Sequence, residues 1–254
     1  MVVDKMKLSM KEILDKYNDC DTFCLTGMVD GYKVSEKEFY DALAYKKKRN
    51  RQYFEDKYNE YELRQKGYPE FDKLYSEIEQ ECREYYNEEN RQKYVNKAYE
   101  DYKKWGFSDE QIKNMDISND FKCSFISSLV GDITKYGNEH TYCFRRFYHD
   151  IGELLDIEND KIEYCFNNSK NPIEQVPQEL KEYLIRYEIS FYNDVTASSG
   201  LMINYYFYLN DKTKEYLLKF KSDFDLEGLE DLAIYKGNNV EFCSCTHEEF
   251  NSLE

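Results

Sequence analysis

Only three prolines and ten glycines punctuate the 254 residues, which leaves little room for linkers between structured segments. Histidine occurs three times, so any mechanism resting on an imidazole is confined to His140, His149 and His247. No stretch approaches the ~20 consecutive apolar residues of a membrane span. The first residues, MVVDKMKLSMKEILDKY, are charged and amphipathic and lack the apolar core of a secretory signal. A cytoplasmic, membrane-free location is therefore expected. The nucleophile elbow GxSxG, the phosphate loop GxxxxGK[ST], the dinucleotide fingerprint GxGxxG and the zinc motif HExxH are all missing. There is no internal repeat and no low-complexity tract. The eight cysteines are scattered rather than clustered, as reduced thiols of a chain large enough to need no disulfide framework.

What the chain has instead is aromatic side chains and negative charge. A charged content of 34% and a mean hydropathy of −0.88 would by themselves suggest disorder. Disordered chains are poor in aromatics, whereas 17% of these residues are Phe, Trp or Tyr, and the 26 tyrosines outnumber the 19 leucines. The core is expected to be built from rings that bury about 150–250 Å² each and still need a partner for a hydroxyl. The net charge of −16 is uneven: residues 1–66 hold 14 basic and 13 acidic side chains, and residues 67–254 hold 21 and 38.

The pattern predicts an α+β fold. Ser9 and Glu12 form a capping box before Met10, Ile13, Leu14 and Tyr17, one face of a short helix. Phe23 to Val29 reads as a strand, with Asp30-Gly31 turning it into a hairpin with Tyr32–Val34. A second capping box, Ser35 with Glu38, opens a run free of Gly and Pro up to Gly67, and a second helix runs from Pro69 to about Lys104. These make a long antiparallel helical hairpin in the N-terminal half. Folding it about Tyr68 sets the basic run Lys46–Arg51 opposite residues 85–90, which include Glu88 and Glu89. Further helices are expected near 108–115, through the mixed 121–136, over 140–156 and from Pro177 through Phe191; 162–166 reads as a short strand and 197–200 as a loop. Strands at 202–209, 216–221, 231–235 and 240–245 predict a C-terminal antiparallel sheet of about four strands with helices packed on it. The expected divisions are 1–34, 35–104 and 105–254, the last of which could form one compact unit with the rest.

Four constellations could carry chemistry. Cys243, Cys245 and His247 alternate along a strand and point to one face, the ligand types that zinc or copper selects, with Cys20 or Cys24 as a fourth donor. Their single-residue spacing is tighter than structural zinc sites use, and the plainer reading is two small apolar cysteines on a core face. His149 and Glu153 share a helix face beside Asp150, a pair suited to acid–base work or to holding a metal, though an ordinary surface pair explains it as well. Asn204-Tyr205-Tyr206-Phe207-Tyr208 could stack nucleic-acid bases, but such platforms need flanking cations and the neighbours here are acidic; a core strand covered on both faces is the simpler reading. Lys46–Arg51 could touch nucleic acid, or be a solvated helix face neutralised by nearby acids.

The fourth-quarter acids decide between functions. Residues 222–254 contain nine acids and one base, Lys236. Such a field repels nucleic acid and attracts basic protein surfaces. The expectation is a non-enzymatic, protein-binding inhibitor or decoy that occupies the basic surface of a nucleic-acid-binding partner through Asp223, Asp225, Glu227, Glu230 and Asp231. The Lys/Asn/Tyr-rich, Pro-poor composition is the style of AT-rich bacteria and their phages, and the chain resembles anti-CRISPR and other anti-defence proteins in charge alone; no residue motif carries that likeness. The alternatives are an accessory or immunity-type protein docking through its helical hairpin, and a small metal-dependent enzyme using the Cys243/Cys245/His247 edge, with zinc as its cofactor.

Overall fold

In the computed structural model the described residues are 8–115, 117, 141–159, 166–192, 197–246 and 250–251. Helix α1 spans Met10–Lys16, β1 Thr22–Met28, α2 Glu36–Glu60, α3 Phe71–Tyr85, α4 Glu88–Lys104, α5 Asp109–Lys113 and α6 Thr141–Asn159. Strands β2 (Leu184–Tyr192) and β3 (Ala197–Tyr208), helix α7 (Asp211–Leu217) and strands β4 (Glu230–Lys236), β5 (Asn239–Cys245) and β6 (Phe250–Asn251) complete the order. The fold is α+β. It divides into a sheet unit, residues 1–46 with 162–254, and a helical unit, residues 47–161. These boundaries differ from the expected 1–34, 35–104 and 105–254, because β1 belongs to the C-terminal sheet.

The sheet is antiparallel, in the order β2-β3-β1-β4-β5-β6. Strand β1 therefore does not pair with Tyr32–Val34. It lies between β3 and β4, with Phe23 opposite Phe207 on one side and Ile234 on the other. The Asp30-Gly31 signal is real as a turn, Gly31 having φ +82°, but it leads into the Ser35 cap of α2. Because side chains alternate along a strand, β1 presents Phe23 and Leu25 to one face. Ile203, Tyr205, Phe207 and Ile234 join them, each 1% exposed or less. Tyr17 of α1 packs against Phe242 on β5, and Phe39 of α2 meets Phe191 on β2 edge-on. The opposite face is thinner: Cys24, Ala233 and Tyr235 are buried, Tyr206 and Cys243 only partly, and Tyr208 is 57% exposed. The expectation that β3 is covered on both faces is thus met on one face only.

Three segments take another form than the sequence pattern predicts. Residues 184–192, expected in a helix from Pro177, are strand β2; the spacing of Leu180, Tyr183, Leu184, Tyr187 and Phe191 suits a helix, but Tyr187, Ile189 and Phe191 also alternate, and pairing with β3 decides for the strand. Ala197–Gly200, expected as a loop, begins β3. Residues 216–221, expected as a strand, follow and partly overlap α7, whose N-cap Asn210 accepts from the backbone N–H of Lys212 and Thr213, while Thr213, Tyr216 and Leu217 fall on one buried helical face. The segments 121–136 and 162–165 lie outside the described residues.

In the helical unit, α2 stops at Glu60 rather than near Gly67. The reason is a Schellman turn: Leu63 N–H reaches Tyr58 O at 3.2 Å, Glu62 N–H reaches Asn59 O at 3.0 Å, and Glu62 takes φ +50°. Leu63 and Tyr58 then both enter the core. Gly67, at φ +87°, closes a second such turn, with Tyr68 N–H on Leu63 O. Tyr58 donates its hydroxyl to Pro69 O at 2.8 Å, fixing the entry to α3. The second arm of the hairpin is broken: Asn87 caps a new helix, its side chain accepting from Asn90 N–H at 2.9 Å. Phe54, Leu74, Ile78 and Cys82 pack with Phe144, Phe147, Tyr148 and Ile151 of α6, whose apolar face matches the predicted one.

Candidate functional site

The acidic segment before β4 is not one outward-facing surface. Asp223 is fully buried and its carboxylate oxygens make no well-formed hydrogen bond among the described residues; burial raises its pKa, and the adjacent Ser244 and Asn251 side chains pull it back in part. It is corrected from a partner-binding residue to a core acid. Asp231, at φ +52°, accepts from Thr246 N–H at 2.8 Å while Thr246 Oγ1 accepts from Asp231 N–H at 3.0 Å, so it ties β4 to the end of β5. Glu230 is half-buried opposite Thr26. Asp225 and Glu227 are exposed, Asp225 accepting from Ser222 Oγ at 2.8 Å. Two of the five acids are therefore freely presented.

Charge nonetheless separates by unit. The sheet unit holds 15 basic and 26 acidic residues, a net of −11, and the helical unit holds 20 and 25, a net of −5.

Cys243 is half-buried against Cys24, Ala233 and Tyr235, while Cys245 is buried opposite Phe250. His247 lies outside the described residues. Among the described residues the one group able to converge on a cation is His149, Asp150 and Glu153 on α6. There, Asp150 is already engaged by Arg146 Nε at 3.0 Å and by His149 Nδ1 at 3.1 Å. The hydrogen bond that Asp150 accepts from the ring raises the His149 pKa, against the opposing effect of burial. With a guanidinium and an imidazole already engaging its one buried carboxylate, this constellation reads as a charge-paired helix face rather than an open cation site.

On the open face of the sheet, Arg186 lies 3.9 Å above the Tyr206 ring and donates to Glu188 at 2.8 Å. Thr26 Oγ1 donates to Asn204 Oδ1 at 3.2 Å, and Asn204 Nδ2 to Tyr192 O at 2.8 Å. A single cation–ring contact does not make the row of phosphate-binding cations that a base-stacking platform requires.

The basic run splits. Lys46 is 3% exposed and lies over the Phe191 and Tyr192 rings at 5.4 and 5.3 Å, so it is not part of a solvated face. Arg51 pairs with Asp72 at 2.6 Å and covers Tyr75, and Lys47 pairs with Glu158. The basic cluster does meet acids across the hairpin, but in a register that sets Arg51 against Asp72 and Tyr75 rather than residues 85–90. The sequence reading missed that α6 enters this arrangement: Glu158 also receives Arg83 at 3.2 Å, and Arg83 pairs with Glu79 at 2.8 Å. Burial pushes the Glu158 carboxyl up, and the Lys47 and Arg83 charges outweigh it, holding the group below the usual glutamate range. The i, i+4 spacings of Lys47 with Arg51 and Glu79 with Arg83 were the available signals.

No protein-family model, no curated protein and no solved structure matches the chain.

Proposed function

We propose that the chain is a non-enzymatic, anionic binding protein that occupies the basic surface of a nucleic-acid-binding partner and so inhibits it. The single observation that carries this reading is the net charge of −11 on the sheet unit, against −5 on the helical unit. Carboxylates fixed on a sheet can stand in for phosphates and speed association through steering. The exposed Asp225 and Glu227, rather than all five acids before β4, are the contact residues on this reading.

The test is capture from a host lysate followed by challenge of what is retained. A partner held this way is released as screening shortens from ~10 Å at 0.1 M salt to ~3 Å at 1 M, and is displaced by excess DNA or RNA. Charge reversal at Asp225 and Glu227 weakens it, and reversal at the exposed Lys48 does not. Retention that is indifferent to salt and to nucleic acid, or equal effects from both reversals, overturns the reading.

A second reading, docking through the helical arm, is favoured by one observation: α4 buries none of its 17 residues, and Trp105 at its end is 71% exposed beside Tyr102 and Phe107. Tryptophan and tyrosine dominate binding hot spots. Under this reading Trp105→Ala abolishes capture of a partner whose retention survives high salt.

A further inference from the structure

The helical unit contains a cleft of about 240 Å³ whose chemistry is opposite to that of the chain as a whole. All of its lining falls between residues 47 and 158, within that one unit. Its rim is cationic, with Lys47, Lys48 and Arg51 from α2 and Arg83 from α3. Its floor is apolar: Ile151, Leu154 and Leu155 of α6, each 5% exposed or less, underlie the opening. Tyr75 forms a wall, its hydroxyl pushed up to about 12 by burial, so that it remains a neutral donor. Glu79 and Glu158 sit among the cations. The lining carries four cations against two carboxylates, in a chain of −16, and Asp72 just outside it pairs with Arg51, so the local field is positive but largely paired.

Ion pairing alone does not explain this arrangement. A solvated, salt-bridged helix face gains ~0–1 kcal/mol per pair and needs no concavity beneath it. Here the charged rim surrounds aliphatic side chains, the combination of an apolar pocket with a few convergent polar groups that marks small-molecule sites. Two of the cations are guanidinium groups, whose planar forks match phosphate and carboxylate oxygens. Lys48 makes no ion pair among the described residues and is exposed at the rim.

We propose that this cleft binds a small phosphate monoester with an apolar body, the headgroup on Lys47, Lys48, Arg51 and Arg83 and the apolar part over Leu154 and Leu155. The volume lies below the ~300–1,000 Å³ of sites for drug-sized ligands, which restricts the body to a single ring or short chain. A phosphate monoester carries about −1.5 to −2 at neutral pH and offers three acceptor oxygens, enough to engage several rim cations at once, where a monocarboxylate offers two. Glu158 is the resident counter-ion: it holds Lys47 and Arg83 in place and competes with the ligand for them. The proposal does not depend on the anionic character of the sheet unit.

Phenyl phosphate, inorganic phosphate and benzyl alcohol, titrated calorimetrically into the full chain, test it. Phenyl phosphate is expected to bind one per chain in the low-millimolar range or tighter, at least about tenfold more tightly than either the headgroup or the apolar body alone, a difference of about 1.4 kcal/mol. Lys48→Gln weakens it, and Lys48→Gln with Arg83→Gln weakens it by at least about tenfold, while Glu158→Gln strengthens it by releasing Lys47 and leaving Arg83 with Glu79 alone. Unfolding curves of each variant separate lost binding from lost structure, and the exposed Lys48→Gln keeps the test open should the double variant not fold. Absence of saturable binding, equal binding of inorganic phosphate, or full binding by a folded double variant overturns the proposal.

Discussion

Arg83 on α3 and Glu158 on α6, 75 residues apart in sequence, meet at 3.2 Å, and Lys47 on α2 closes on the same carboxylate. One half-buried acid thus joins three helices of the helical unit. The register differs from one folded about Tyr68 because α2 already ends at Glu60, and a two-helix reading also leaves out α6, which supplies the counter-ion.

The first prediction concerns acid stability. The folded pKa of Glu158 is depressed below its unfolded value of ~4.3, so its contribution is present above that pH and is lost as pH falls through the folded pKa. Lys47 and Arg83 are 42% and 48% exposed and rehydrate readily when the acid is removed, which limits the contribution to about 1 kcal/mol. Glu158→Gln is expected to lower the urea midpoint at pH 7 and to converge with the parent as pH falls through the folded pKa of Glu158. Parallel curves over that range would show that the pair adds nothing.

A second prediction rests on close packing at Gly27. A Cβ built there lies 2.2 Å from Gln175 Oε1 and 3.0 Å from Leu229 Cδ2. Gln175 Oε1 in turn lies 3.0 Å from the Tyr205 hydroxyl, which donates to Pro172 O at 2.7 Å. Gly27→Ala must therefore displace Gln175 and disturb the setting of a fully buried tyrosine. The expected loss is about 1–3 kcal/mol. Combining it with Gln175→Ser is expected to recover part of that loss, and a double-mutant cycle measures how much.

Local signals were read well where the physics is local. Both capping boxes at Ser9 and Ser35, the apolar face of α6 from Phe144 to Leu155, and the β4–β5 hairpin depend on neighbours within a few residues. The misreadings share another cause. Residues 184–192 carry a pattern compatible with helix and strand, and pairing with β3 selects the strand, although the first residues of β3, Ala197–Gly200, read as a loop on their own. Strand β1 is legible, but its two neighbours lie about 180 and about 210 residues later and nothing near Phe23 encodes them. At the acids, composition could count charge but not orient it: Asp223 and Asp225 are two residues apart, one buried and one exposed. The cleft escaped because its lining comes from three separated helices.

The third prediction separates the two non-glycine residues with positive φ among the described residues. Glu62 adopts φ +50° only to end α2, and a left-handed conformation costs a residue with a Cβ roughly 1 kcal/mol that glycine avoids. Glu62→Gly is expected to raise the unfolding free energy by up to about 1 kcal/mol, read from the shift in urea midpoint. Asp231 adopts φ +52° while its carboxylate accepts from Thr246 N–H. Asp231→Gly relieves the same strain but discards that hydrogen bond, so it is expected to be neutral or destabilising. Equal stabilisation at both positions would mean that the Asp231–Thr246 link is not formed in solution.

The fourth prediction concerns Asp223, where burial without a compensating cation among the described residues works against the fold at neutral pH. Its folded pKa is raised above the unfolded ~3.9, so the folded state holds its proton more tightly. Any stability linked to that proton is fully present below about pH 3.9 and is lost as pH rises through the folded pKa. Asp223→Asn keeps the shape and removes the ionisation. It is expected to be more stable than the parent at pH 7, by a margin on the order of 1 kcal/mol, and to lose that margin below about pH 4. The direction is opposite to that at Glu158, so the two acids can be distinguished in one series of unfolding curves. It also bears on function: as a buried acid, Asp223 should accept Asn with no effect on partner capture, whereas reversal at Asp225, two residues on, should weaken it. Loss of capture in a stabilised Asp223→Asn chain would place that carboxylate at the interface after all.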